Sequence, residues 1–121
     1  MLTAAAMAAI FDHAHAPLAE GRLSVARTGR PTLGEPVLEI EIVCPLCNRR
    51  HRHTWSLGDD GEFDLTVETR TPHCRFAGTH TYRIRPLDDQ KNRSINDTFR
   101  QLYVLWRRRA GLPDLPWMPS R

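Results

Sequence analysis

Two cysteines separated by two residues, Cys44 and Cys47, followed at once by His51 and His53, restrict this chain more than any other feature. A C-x2-C segment must close into a tight turn if both sulfurs are to face one point, and a segment returning from that turn carries the next histidines to the same end. A tetrahedral zinc ion takes four deprotonated sulfur or nitrogen donors, and this spacing supplies two thiolates from one loop whose backbone N–H groups can also point at the sulfurs. The remaining cysteine, Cys74, stands beside His73. The candidate ligands to Zn2+ are therefore Cys44, Cys47 and Cys74 with His51 as the fourth donor, and with His73 and His53 as alternates for that fourth place. Three buried apolar cysteines would explain neither the spacing nor Pro45 after the first of them.

Hydrophobic alternation supplies the frame. Residues 37–43 alternate apolar and acidic, with Leu38, Ile40 and Ile42 on one face, and run straight into Cys44. Residues 50–57 can return as a second strand to the turn Gly58-Asp59-Asp60-Gly61. A third strand is expected with Phe63, Leu65 and Val67 on one face, and a fourth over residues 79–85 with His80, Tyr82 and Ile84 alternating. In an antiparallel meander the first and third connections fall at the same end of the sheet, so the two cysteine-bearing loops would meet. The same pairing would place His51 opposite Glu68 and His53 opposite Thr66 on a polar face.

Around this lie two flanks. Residues 1–36 read as a short Ala-rich helix and an irregular arm, since Pro17, Gly21, Gly29, Pro31, Gly34 and Pro36 punctuate the stretch. No Lys or Arg precedes Arg22, so the apolar opening does not read as a signal peptide. Residues 87–121 hold a helix, with Ser94-Ile95-Asn96-Asp97 matching a capping pattern and Ile95, Phe99, Leu102, Tyr103, Trp106 and Ala110 forming one stripe, Asn96 lying opposite it. Gly111 and Pro113 end that helix before a Pro-rich tail that either caps the core or offers an extended peptide to a partner. The expected fold is a small α+β protein: a four-stranded antiparallel zinc-ribbon-like sheet over residues 37–86, an N-terminal arm and a C-terminal amphipathic helix.

Composition narrows the function classes. At 121 residues with 26% charged and 40% apolar side chains, the chain suits a globular domain and contains no apolar run of membrane-spanning length. Sixteen of its seventeen basic residues are Arg, a bias that a GC-rich genome produces without functional pressure. Arg49, Arg50 and Arg52 cluster beside the cysteine turn with Trp55 close by, an arrangement that could contact phosphates and stack on a base. Arg107, Arg108 and Arg109 sit where a helix macrodipole also favours cations. A thioredoxin-like redox site would lead from its second cysteine into an amphipathic helix, whereas residues 48–53 carry no apolar stripe. No H-x-E deaminase motif, Gly-rich phosphate loop or G-x-S-x-G elbow occurs, so an enzyme is not expected. The expectation is a cytoplasmic zinc-binding protein of nucleic acid or of the transcription machinery. The alternative is an adaptor that docks another protein through the acidic residues 59–68 or the C-terminal tail, with a thiol redox protein third. Neither a membrane nor a small-molecule substrate is expected.

Over residues 43–85 the pattern Cys44-Pro45-Leu46-Cys47-Asn48-Arg49-Arg50-His51-Arg52-His53, then His73-Cys74 and a short strand, resembles a loose group of small zinc-finger proteins of high-GC bacteria and their phages. Their motif runs C-P-x-C-G-x-x-H-x-H and later H-C. Asn48 stands where the group carries Gly, and Asn tolerates the left-handed backbone that a Gly would take there. The group has no established activity, so the resemblance implies a zinc ion and a ribbon-like fold and says little about function.

Overall fold

The computed structural model describes residues 16–28, 34–70 and 81–121. They form a five-stranded mixed sheet and one C-terminal helix: β1 (Leu18–Arg27), β2 (Pro36–Val43), β3 (Arg50–Thr54), β4 (Glu68–Arg70), β5 (Tyr82–Pro86) and α1 (Gln90–Arg109). The α+β class matches expectation, but four antiparallel strands do not. The strand order is β3-β2-β1-β5-β4, with β1 and β5 parallel and all other pairs antiparallel.

The largest correction concerns the expected arm. Residues 18–27 are the middle strand of the sheet, because Ala19, Gly21, Leu23 and Val25 alternate inward beneath the turn-forming composition that surrounds them. Gly21 marks close strand contact rather than a turn: a Cβ there would lie 2.5 Å from the Glu41 carbonyl oxygen and from Ile42 Cγ2. β1 pairs with β5 through residues 18–21 and with β2 through residues 22–27. Where it changes partner, the fully buried Asn92 of α1 takes over the open backbone. Its Nδ2 donates to the carbonyls of Gly21 (3.1 Å) and Leu87 (2.8 Å), and its Oδ1 accepts from Leu23 N (2.9 Å).

The expected third strand is also absent as such. Of residues 62–67 only Phe63 makes a bridge, to Leu57, and only Phe63 enters the core, while Leu65 and Val67 are 45% and 39% exposed. The Asp64 carboxylate accepts from both Thr66 N (2.8 Å) and Thr66 Oγ1 (2.7 Å), a local turn that competes with ladder pairing. The sheet then curls until its two edges approach each other, with Arg70 of β4 donating to the Thr54 carbonyl at the end of β3 (3.2 Å). Expectations for the N-terminal helix and for residues 71–80, Cys74, His73 and His80 included, lie outside the described residues.

The helix begins a turn earlier than its sequence pattern suggested. Asp89, not Ser94, is the N-cap, and its carboxylate accepts from Asn92 N (2.9 Å). Two capping patterns compete here, and tertiary contact selects the first, because Arg22 of β1 grips Asp89 through both Nη1 (2.7 Å) and Nη2 (2.8 Å). Asn96, expected on the outer face, is fully buried and donates to the Gly61 carbonyl (3.2 Å) in the turn at residues 58–61. Phe99 inserts into the core formed by Leu23, Leu38, Ile40, Ile42, Tyr82 and Ile84. At the far end Gly111 takes φ +75°, and Leu112 N and Gly111 N return to the carbonyls of Arg107 and Arg108, closing the helix with a Schellman motif. The tail folds back: Asp114 pairs with Arg108 (2.9 Å), Met118 is buried, and Trp117 packs on Gly61 and beside Tyr103. No helix among the described residues is long and apolar enough to cross a membrane.

The grip of Arg22, followed by the Asn92 N–H, holds the Asp89 carboxyl down at about 2, against 3.8 for an ordinary aspartate. A carboxyl whose pKa is depressed on folding stabilises the fold above its unfolded pKa and loses that contribution as pH falls through the folded one. The stability gap between wild type and Asp89→Asn is therefore expected to be full at pH 5 and to shrink as pH drops from 3.8 toward about 2. Urea unfolding at a series of pH values measures it; a gap of equal size at both ends would contradict the assignment.

Candidate metal centre

The alternation that buries Leu38, Ile40 and Ile42 on β2 carries one step further and turns Cys44 inward, where it is fully buried. The chain then reverses within four residues. Asn48 N donates to the Cys44 carbonyl (2.8 Å), Cys44 N donates to the Arg49 carbonyl (2.8 Å), and Leu46 N points at Cys44 Sγ (3.4 Å). An N–H directed at sulfur favours the thiolate over the thiol, which is the form a metal binds. The reversal needs one left-handed residue, and Asn48 supplies it at φ +60°.

β3 returns antiparallel to β2 with His51 opposite Ile42 and His53 opposite Ile40. Side chains directly across a strand pair share a face, so both histidines point inward, not to the polar face that pairing with residues 62–68 would have given. His51 is half-buried and sets Nε2 3.3 Å from Cys47 Sγ. One donor atom from each of Cys44, Cys47 and His51 lies within 4.8 Å of the others. Zn–S and Zn–N bonds of about 2.3 and 2.0–2.1 Å at a tetrahedral angle put a sulfur and a nitrogen about 3.6 Å apart. The three donors thus fit a divalent ion in type and in spacing. His53 does not join them: it is buried at 7% exposure and hydrogen-bonds through Nε2 to the Tyr82 hydroxyl.

On the outer face of the hairpin the chemistry is different. Arg50 and Arg52 point outward and share one carboxylate, Glu41, at 3.6 and 3.0 Å, while Arg49 is exposed in the turn. Trp55 is not an exposed stacking platform. It is 5% exposed in the core, its Nε1 donates to the Asp64 carbonyl (2.8 Å), and the Arg70 guanidinium lies 5.8 Å from its ring centre. Arg107 and Arg108 are held by the tail, through the Pro113 carbonyl and Asp114. Sequence reasoning placed Tyr82 on an expected strand but missed it as a neighbour of the site, because alternation does not say which side chains an inward residue meets.

The chain matches no family model, no curated protein and no solved structure. Its resemblance to small zinc-finger proteins therefore rests on the motif residues alone.

The left-handed Asn48 gives a direct check on the turn. Asn48→Ala is expected to cost about 1 kcal/mol, the steric penalty of that backbone region for an ordinary side chain, whereas Asn48→Gly should leave stability nearly unchanged. Denaturant unfolding of both variants reads the difference, and equal losses would rule out the strained turn.

Proposed function

We propose that the chain is a zinc-stabilised recognition module, in which Cys44, Cys47 and His51 hold a structural Zn2+ and the outer face of the same hairpin meets a nucleic acid. The observation that carries the zinc half is the convergence of two sulfurs and one imidazole nitrogen within 4.8 Å at the end of β2 and β3. Cys74, the third cysteine of the chain, is the further donor in this reading and completes a closed four-ligand set. A closed set leaves no position for substrate, which separates a structural site from a catalytic one. The backbone after Cys47 argues against a redox role: a left-handed turn leads into a short strand, with no helix N-terminus to lower a thiol pKa.

The nucleic-acid half is supported by Arg49, Arg50 and Arg52 projecting from the hairpin that the metal would brace. Since Glu41 already accompanies Arg50 and Arg52, the contact expected is with phosphates, which compete for a guanidinium by charge, and carries little base preference. Docking of another protein on this face is the second reading, and Val43, 54% exposed and paired with Arg50, favours it.

Native mass spectrometry is expected to find one zinc per chain, lost in Cys47→Ser. Chelation should lower Tm by more than about 5 °C, since metal binding energy is folding energy in a domain this small. Binding to a duplex or single-stranded oligonucleotide is expected at about 50 mM salt, to weaken steeply by about 200 mM, and to fall in slope by up to about three contacts in the triple variant Arg49→Ala/Arg50→Ala/Arg52→Ala. Zinc without retention on either nucleic acid at low salt would turn the reading toward a protein partner.

A further inference from the structure

His51 faces the cysteines with Nε2, and its other nitrogen is engaged as well. Nδ1 lies 3.4 Å from the hydroxyl of Tyr82, and that hydroxyl also hydrogen-bonds His53 Nε2. The three rings are packed tightly: Tyr82 is fully buried, its ring meets His51 edge-on (6.3 Å, 85°) and His53 at a tilt (5.6 Å, 59°). Resting on the zinc reading above, we infer that Tyr82 is a positioning residue that holds His51 with Nε2 toward the metal, with His53 as the acceptor at the end of the relay.

The direction follows from counting protons. A neutral imidazole carries one N–H, and a nitrogen that binds a metal must present its lone pair. With His51 Nε2 on the metal, Nδ1 carries the hydrogen and donates it to the Tyr82 oxygen. The Tyr82 oxygen, having accepted there, directs its own O–H to His53. His53 Nε2 must then be an acceptor, so its proton sits on Nδ1. One choice at the metal sets three groups. Ligating histidines ordinarily donate their second N–H to an oxygen that holds the ring in place, and removing such an oxygen costs roughly 10- to 100-fold in metal affinity. Here the oxygen is a phenol held rigid in the core, brought to the site from the other half of the sheet.

Tyr82→Phe deletes only the hydroxyl and keeps the ring that packs the core. Zinc affinity, measured by competition with a chromophoric chelator, is expected to fall roughly 10- to 100-fold in this variant. A merely structural loss would lower stability and leave the histidine tautomers as they were, so the second readout is their nitrogen NMR pattern. In zinc-loaded wild type, long-range nitrogen–proton correlation should show His51 bound through Nε2 with Nδ1–H, and His53 with Nδ1–H. His51 bound through Nδ1, a proton on His53 Nε2, or unchanged affinity in Tyr82→Phe would each overturn the inference, and the first two need only the wild-type protein. Failure of the zinc reading itself looks different: the wild type would take up no zinc at all.

Discussion

A single strand that changes partner part-way along is the constraint on which the rest of this structure depends. β1 gives its first four residues to β5 and its last six to β2, and neither half is fully paired by strands alone. Asn92 resolves this by acting as a short stretch of surrogate backbone, donating to Gly21 and Leu87 and accepting from Leu23. A buried amide of this kind must be satisfied at every atom or it costs more than an apolar residue would. Because Asn92 belongs to α1, the same three bonds that close the strand junction also dock the helix, and Arg22 with Asp89 fastens its first turn from outside.

The candidate metal site inherits its position from that junction. β2 ends, and β5 begins, at the end of the sheet where β1 starts, so Cys44 and Tyr82 come together although 38 positions separate them in the chain. β3 then needs only its own alternation. Residues 50–55 read Arg, His, Arg, His, Thr, Trp, and the pleat sends His51, His53 and Trp55 inward while Arg50, Arg52 and Thr54 face out. One hairpin thus separates two chemistries: imidazole nitrogens toward sulfur and phenol on the inside, and guanidinium groups toward Glu41 and solvent on the outside.

Other charged residues serve the fold. Arg107 and Arg108 at the end of α1 meet the returning tail, where Arg108 and Arg121 draw the Asp114 carboxyl below the usual range, Arg108 contributing most. Arg100 reaches both Glu62 and the ring of Trp117, tying the turn at residues 58–61 to the helix and tail. Tail and helix are consequently one packed unit, and the extended partner-binding peptide that a Pro-rich segment suggested is not the form it takes here. Arg49, Arg50 and Arg52 of the β2–β3 hairpin, by contrast, stay exposed.

Whatever depends on neighbours within a few residues was legible from the chain itself. The inward alternation of β2, the knuckle with its left-handed Asn48, the turn at residues 58–61 and the Gly111 helix end each follow from local sterics, periodicity and capping, which need no distant partner. Every choice between two locally acceptable options needed the tertiary structure. Asp89 and Ser94 both make caps, and Arg22 decides between them; residues 62–68 alternate like a strand, and the Asp64 turn unmakes it. Residues 18–27 are punctuated like a loop yet become the centre of the sheet, because two other strands are there to satisfy their backbone. β3 pairs with β2 as a meander requires but not with residues 62–68, and its register to β2 turned the histidines inward, since a strand's faces are assigned only when its partner is known.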